Sequence, residues 1–142
     1  MTRFWLTLTQ GVHFVLRSIQ EMQGGEVFVP KIPSMKVTDL SEAIAPGCRV
    51  INVGIRPGEK LHETLVSEDE ARHCTELDDR FIIAPTHPWW KGHGEIAGSR
   101  MPDGFRYSSD TNPQWLTVNE LRNLLGEFPV DEEKERAGLS GI

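Results

Sequence analysis

The run Arg49-Val-Ile-Asn-Val-Gly-Ile55 constrains this chain more than any other stretch. It is β-branched and almost wholly apolar, without the in–out alternation of a strand that has one wet face. Such a run reads as a strand covered on both faces, with neighbours on both sides. Helical periodicity precedes it. Val12, Val15, Leu16 and Ile19 fall at i, i+3, i+4 and i+7, which predicts an amphipathic helix from Thr9 to Met22. His13, Arg17 and Gln20 fall on its wet side, and Gly24-Gly25 ends it. "EVFVP" and "RFIIAP" read as two more strands. Strands alternating with helices put the chain in the α/β class. Three short strands make a thin sheet for so apolar a member, so part of the sheet is expected to lie outside this chain.

The remaining segments fill in around that frame. Residues 2–8 read as an extended lead-in and "KIPSMK" as a loop. Thr38 is placed to cap a helix through Ala45 that buries Leu40, Ala43 and Ile44, closed by Pro46-Gly47. Residues 59–66 read as another helix, and Ser67 with Glu70 as a capping box for one or two more turns. Residues 86–106 carry prolines and glycines without periodicity and read as a long loop. Thr117 with Glu120 makes a second capping box, before a helix that buries Leu121, Leu124 and Leu125. Residues 1–126 are then one domain, and the charged, small-residue stretch 127–142 reads as a disordered tail.

Bulk properties narrow the function. With 142 residues there is room for one core, not comfortably for two. A net charge of −6 leaves no electrostatic footprint for nucleic acid. No apolar run approaches the ~20 residues of a membrane span, and "MTRFWLTLTQ" lacks the pattern of a secretory signal. Cys48 and Cys74 are too few for a disulfide framework or a four-ligand zinc site. A cytoplasmic, reduced, metal-free protein is expected, with neither nucleic acid nor membrane as partner.

The chemistry concentrates where the apolar run ends, at Arg56-Pro57-Gly58-Glu59. Pro57 fixes φ, and Gly58 has no side chain to block an approaching ligand. On the helical reading, Arg56 closes a strand and Glu59 opens a helix, where free amides favour anions. A guanidinium grips phosphate oxygens through two parallel hydrogen bonds. A neighbouring carboxylate accepts from two vicinal hydroxyls, as on a ribose. The pair suits a nucleoside diphosphate. A plain strand–turn–helix, with Arg56 solvated, accounts for the same residues.

"MTRFWLTLTQGVHFVL", "GGEVFVPKIPSMKVTDL", "GIRPGEKLHE" and "FRYSSDTNPQWL" resemble, in order, the C-terminal part of the UDP-N-acetylglucosamine 4,6-dehydratases. The resemblance is strongest to the C5-inverting type that begins pseudaminic acid synthesis for flagellin glycans, and it extends to about residue 125. These are extended short-chain dehydrogenase/reductases. The resemblance implies a Rossmann domain, holding NADP and the catalytic residues, in the first two thirds of such an enzyme. The last third closes over the UDP-sugar. It implies that Arg56 contacts the pyrophosphate, that Glu59 contacts the ribose hydroxyls, and that Arg3 is a second phosphate contact. Met1 then corresponds to an internal methionine of the family, in a truncated or split gene.

Several features expected of the whole enzyme are missing from this sequence. Gly92-His-Gly94-Glu-Ile-Ala-Gly98 has the wrong spacing for a dinucleotide fingerprint and follows "PWWK" rather than a strand. The only tyrosine, Tyr107, has Thr111 four residues on instead of the family's catalytic lysine. Glu59-Lys60 lacks the spacing of a phosphate loop. His73, Cys74, His87 and His93 match no common metal spacing. His62 as a base, Lys31 and Lys36 as pocket residues, "LRNLL" as a docking box and Trp89-Trp90 as a contact patch each have an ordinary surface or core explanation.

The expected fold is therefore the small, mixed α/β, substrate-binding part of such an enzyme without its Rossmann half. It would bind a UDP-sugar, carry no cofactor or metal of its own, and be inactive alone. Two alternatives stay open: half of a split enzyme docking in trans onto a Rossmann-domain chain, and a non-enzymatic module that pairs with another copy of itself.

Overall fold

In a computed structural model of the chain, residues 1–87 and 96–126 are described. The element order is β1 Thr2–Phe4, α1 Leu8–Glu21, β2 Val27–Pro30, β3 Ser34–Lys36, α2 Val37–Ile44, β4 Thr64–Val66, α3 Glu68–Ala71, β5 Cys74–Glu76, β6 Arg80–Ile83, β7 Ser99–Arg100, β8 Tyr107–Ser108 and α4 Val118–Gly126. The class is mixed α/β, with three small sheets. β1 pairs with β3, β4 with β8, and β2-β6-β5-β7 form the largest sheet. Every named strand pairing among the described residues is antiparallel.

Two apolar clusters hold these pieces together. Val29, Val66, Ala71, Cys74, Phe81, Ile83 and Tyr107 form the first, between the largest sheet, the β4–β8 pair and α3, with Phe4 and Phe105 packed against it. The Tyr107 ring centroid lies 4.8 Å from that of Phe4 and 5.0 Å from that of Phe81, separations at which tilted rings attract through their quadrupoles. Met35, Ala43 and Leu121 form the second, where α2 and α4 meet. Thr117 caps α4 as its sequence predicts. Its hydroxyl accepts the Glu120 N–H at 3.3 Å, and the Glu120 carboxylate accepts the Thr117 N–H at 2.8 Å. The Ser67–Glu70 box at α3 is likewise complete.

Several local expectations are corrected. The run 49–55 forms no strand: Val50, Ile51, Val53 and Ile55 are each more than half exposed. None of the described strands pairs with it. Residues 59–66 are not a helix. They form a turn and then β4, because β8 pairs with Thr64 and Val66. "KIPSMK" contains β3 rather than loop alone. Thr38 lies inside α2, whose N-cap is Lys36, and Ile44 is 64% exposed. The 86–106 loop contains β7. The tail 127–142 and Trp89-Trp90 lie outside the described residues.

The amphipathic helix forms, but facing the other way. Thr7 caps α1 through a full box with Gln10. Its half-buried positions are Gly11, Phe14 and Ser18, and none of its residues is fully buried. Arg17 donates to Asp79 at 2.6 Å, and Arg80 in β6 holds Glu21 at 2.7 Å. Ion pairs therefore tie the helix down, while Leu8, Val12, Val15, Leu16 and Ile19 point outward, Leu8 being 80% exposed. A stripe of that kind calls for something else apolar against it, and none of the described residues covers it.

Candidate functional site: the Arg56–Glu59 corner

The corner is a tight turn. The Glu59 N–H donates to the Arg56 carbonyl at 3.0 Å, with Pro57 second and Gly58 third at φ +86°. That pattern needs glycine at the third position, because an L side chain is strained at positive φ. The Glu59 carboxylate folds back, and its Oε2 accepts the Arg56 N–H at 3.0 Å. Oε1 has no hydrogen-bond partner among the described residues. The Arg56 guanidinium has no ion-pair or hydrogen-bond partner among the described residues. A strand end and a helix start do not flank this turn, so Glu59 draws nothing from a helix dipole.

Arg3 is fixed beside the segment that follows. The Thr2 N–H donates to the Leu61 carbonyl at 2.9 Å. Arg3 Nη1 donates to the Thr2 carbonyl at 2.7 Å and to the Leu61 carbonyl at 3.4 Å, and Nε lies 3.4 Å from Glu63. Arg3 thus has partners of its own, and the structure links it to the corner through residues 61–63. Lys31 is occupied elsewhere: it bonds Glu76 at 2.7 Å and lies over the Phe81 ring. Lys36 is exposed at the end of β3.

The polar run Tyr107-Ser-Ser-Asp-Thr-Asn112 holds this arrangement, a role missed in the sequence, where these residues were assigned no element. The Tyr107 hydroxyl donates to the Ile32 carbonyl and accepts the Ile32 N–H, both at 2.9 Å. Burial pushes this phenol's pKa up. The Ser108 hydroxyl bonds the Glu63 carbonyl at 3.0 Å and Asp110 at 2.5 Å. That donation from Ser108 holds the Asp110 carboxyl below the usual range. The Ser109 backbone N–H donates to the Glu63 carbonyl at 2.8 Å, and the Ser109 hydroxyl accepts the Glu63 N–H at 2.9 Å. Asn112 bonds Ile32 and Ser34. A Tyr followed by five small polar residues was the available signal, since buried polar side chains need partners from several segments.

A depression of about 740 Å³ lies away from the corner, lined by Arg17, Lys31, Glu76, Asp79 and Arg80 among others. Its cations are already paired with carboxylates, so we place no anion there. Among the described residues no cluster of three or more His, Cys, Asp or Glu has a metal-holding arrangement; His93 lies outside them. Burial first, then Glu76 and Glu70, pushes the Cys74 thiol up to about 11. No described helix is long and apolar enough to cross a membrane.

Residues 1–85 match the family model described as "Polysaccharide biosynthesis protein". This chain belongs to that family. Within it, the chain is 42% identical over 132 residues to a UDP-N-acetylglucosamine 4,6-dehydratase (inverting) of Campylobacter jejuni, covering 88% of this chain and 40% of the relative. It is 33% identical over 147 residues to a UDP-glucose 4-epimerase of Rickettsia rickettsii, covering 96% of this chain and 42% of that one. The solved structure of Pen from Bacillus thuringiensis superposes with a TM-score of 0.71 at 30% identity, over 90% of this chain and 38% of that one. This polysaccharide biosynthesis family member thus spans about two fifths of each of those relatives.

Proposed function

We propose that this chain is the UDP-sugar-binding portion of a nucleotide-sugar 4,6-dehydratase acting in surface-glycan biosynthesis. UDP-N-acetylglucosamine is the ligand, and pseudaminic acid synthesis is the favoured setting. The observation that carries the reading is the corner itself, within a chain 42% identical to a dehydratase of that substrate. An unpartnered guanidinium and a half-used carboxylate share one rigid turn. Arg56 takes the pyrophosphate, Glu59 Oε1 the ribose hydroxyls, and Arg3 supplies positive charge nearby. The chain grips and orients, and that restriction of freedom is its part in catalysis.

It runs no reaction alone. Gly98, the one glycine of the 92–98 run among the described residues, serves strand packing: a Cβ there would sit 2.5 Å from the Glu76 carbonyl. The residues present do not fit NADP, and in this reading the cofactor belongs to the remaining three fifths of such an enzyme. The outward stripe of α1 and the exposed 50–55 segment favour that polypeptide as a partner in trans over a second copy of this chain. A nearly all-apolar segment left without strand partners calls for a sheet edge, and the helix calls for an apolar surface. The cytoplasm is the matching compartment.

Saturation-transfer NMR with UDP-N-acetylglucosamine tests the grip. Transfer to ribose and sugar protons is expected, with affinity near millimolar, roughly −4 kcal/mol, because the rest of the pocket is absent. Absence of transfer with a folded chain would contradict it.

A further inference from the structure

Two hydroxyls shut away from solvent stand behind His62. Thr2 is 7% exposed and Ser109 is fully buried. Thr2 Oγ1 lies 2.9 Å from His62 Nδ1 and 2.7 Å from Ser109 Oγ. Ser109 Oγ in turn accepts the Glu63 N–H at 2.9 Å. Each hydroxyl carries one proton to give.

With Nδ1 bare, every donor is served in one direction. The Glu63 N–H donates to Ser109, Ser109 to Thr2, and Thr2 to His62 Nδ1. With a proton on Nδ1, the ring donates to Thr2 instead. The Thr2 and Ser109 hydroxyls then share a single remaining contact for two protons, and one buried O–H has no acceptor among its neighbours. That carries the desolvation penalty of an unmade bond, enough to favour the first arrangement by roughly tenfold or more.

The charged groups nearby do not compete for the ring through a bond. Asp110 accepts from Ser108 and lies 3.5 Å from Arg106, and the Glu63 carboxylate lies 3.4 Å from Arg3. His62 Nε2 has no partner among the described residues. The buried atoms that lack one are Trp5 Nε1, Arg80 Nε and Arg80 Nη1, so Nε2 opens to solvent. A solvated surface imidazole has no need of a fixed tautomer; a recognition donor does. His62 stands three residues past Glu59 and next to Leu61, whose carbonyl takes the Arg3 guanidinium.

We propose that His62 is a further ligand-contacting residue, locked by the Ser109–Thr2 hydroxyl chain as the neutral ring with its proton on Nε2, and that this N–H donates to a phosphate oxygen of the bound nucleoside diphosphate. The ligand contact rests on the nucleotide reading above, whereas the locked tautomer does not.

Long-range proton–nitrogen NMR of the full chain reads the tautomer directly. At pH 7.5 the Nε2–H form is expected. The Nε2 resonance should move on adding UDP and stay in place on adding uridine. His62→Gln, whose amide nitrogen falls near the Nε2 position, should keep UDP affinity within about twofold; His62→Asn, whose amide falls near Nδ1, should lose about tenfold. An Nδ1–H form in the wild type overturns the lock. UDP binding with an unmoved Nε2 and an unaffected Asn variant overturns the contact. A folded wild type that ignores UDP defeats the nucleotide reading, and the contact with it, while the tautomer spectrum still decides the lock.

Discussion

Arg56 and Glu59 close on each other twice: the Glu59 N–H reaches the Arg56 carbonyl and the Glu59 carboxylate reaches the Arg56 N–H, both at 3.0 Å. One carboxylate therefore shapes the turn and, in the proposed function, also takes the ligand's hydroxyls. The two roles separate by substitution. Glu59→Gln keeps an acceptor for the Arg56 N–H and should leave the thermal midpoint unchanged, while UDP binding weakens about fivefold. Glu59→Ala should weaken binding at least tenfold, with a stability loss of about 0.5–1 kcal/mol for an exposed bond. Equal binding by wild type and both variants, measured by titration, would remove Glu59 from the site.

Glu21 and Arg80 anchor α1 to the main sheet. The Arg80 side chain is only 4% exposed, so losing its carboxylate partner leaves a buried charge without its main counterion. Because Glu21 is itself partly exposed, Glu21→Gln should cost about 2 kcal/mol rather than the full penalty of a deeply buried pair. Arg80→Met, which removes the buried charge and keeps much of the volume, should cost less. Urea unfolding of the two variants checks the order; a costlier Arg80→Met would show that the charge is not what anchors the helix.

The outward stripe makes a counter-intuitive stability prediction. Leu16→Lys or Ile19→Lys puts a charge on what reads in sequence as a buried face, yet each should shift stability by no more than about 0.5 kcal/mol. Under the proposed docking in trans, association with a Rossmann-domain polypeptide should be lost. Destabilisation of several kcal/mol, as for a core site, would mean the stripe is covered within this chain.

Acid should loosen α3 before the core. The Ser67 hydroxyl, and secondarily its backbone N–H, hold the Glu70 pKa below its ordinary 4.5. A depressed folded-state pKa gives stability that is complete above about pH 4.5 and is lost as pH falls through the lower folded value. Ser67→Ala should cost about 1 kcal/mol at pH 7, and the gap in thermal midpoint should narrow at pH 3. A gap that widens in acid would reverse the assigned sign.

Thiol labelling distinguishes the two cysteines. Cys48 is exposed, whereas Cys74 is buried with its pKa pushed up to about 11. A maleimide at pH 7.5 should modify Cys48 within minutes and leave Cys74 until urea unfolds the chain. Comparable rates in native buffer would contradict the burial of β5.

What was legible in the sequence divides along physical lines. Capping boxes at Ser67 and Thr117 are local chemistry, and both formed where they were read. α1 was legible as a helix, but its orientation was not, because periodicity shows that a face is apolar without showing what covers it. The same limit misled at 49–55, whose apolar pattern describes a strand with neighbours, where none of the described strands pairs with it. β5 was missed although Leu77-Asp78-Asp79 is a turn signal between two short runs. β4 was hidden because its partner, β8, lies more than forty residues away. At the corner, residue type and family resemblance singled out Arg56, Glu59 and Arg3, and the structure adds the turn that joins the first two. The support from Ser108, Ser109 and His62 was not, since hydroxyl networks join segments distant in sequence.

The most direct measurement is a calorimetric titration of UDP into the purified, folded chain, repeated with Arg56→Ala. The account predicts weak saturable binding near millimolar that the substitution abolishes without changing the thermal midpoint. No heat from the wild type, or the same affinity in both proteins, would contradict the assignment of this corner as a nucleotide diphosphate grip.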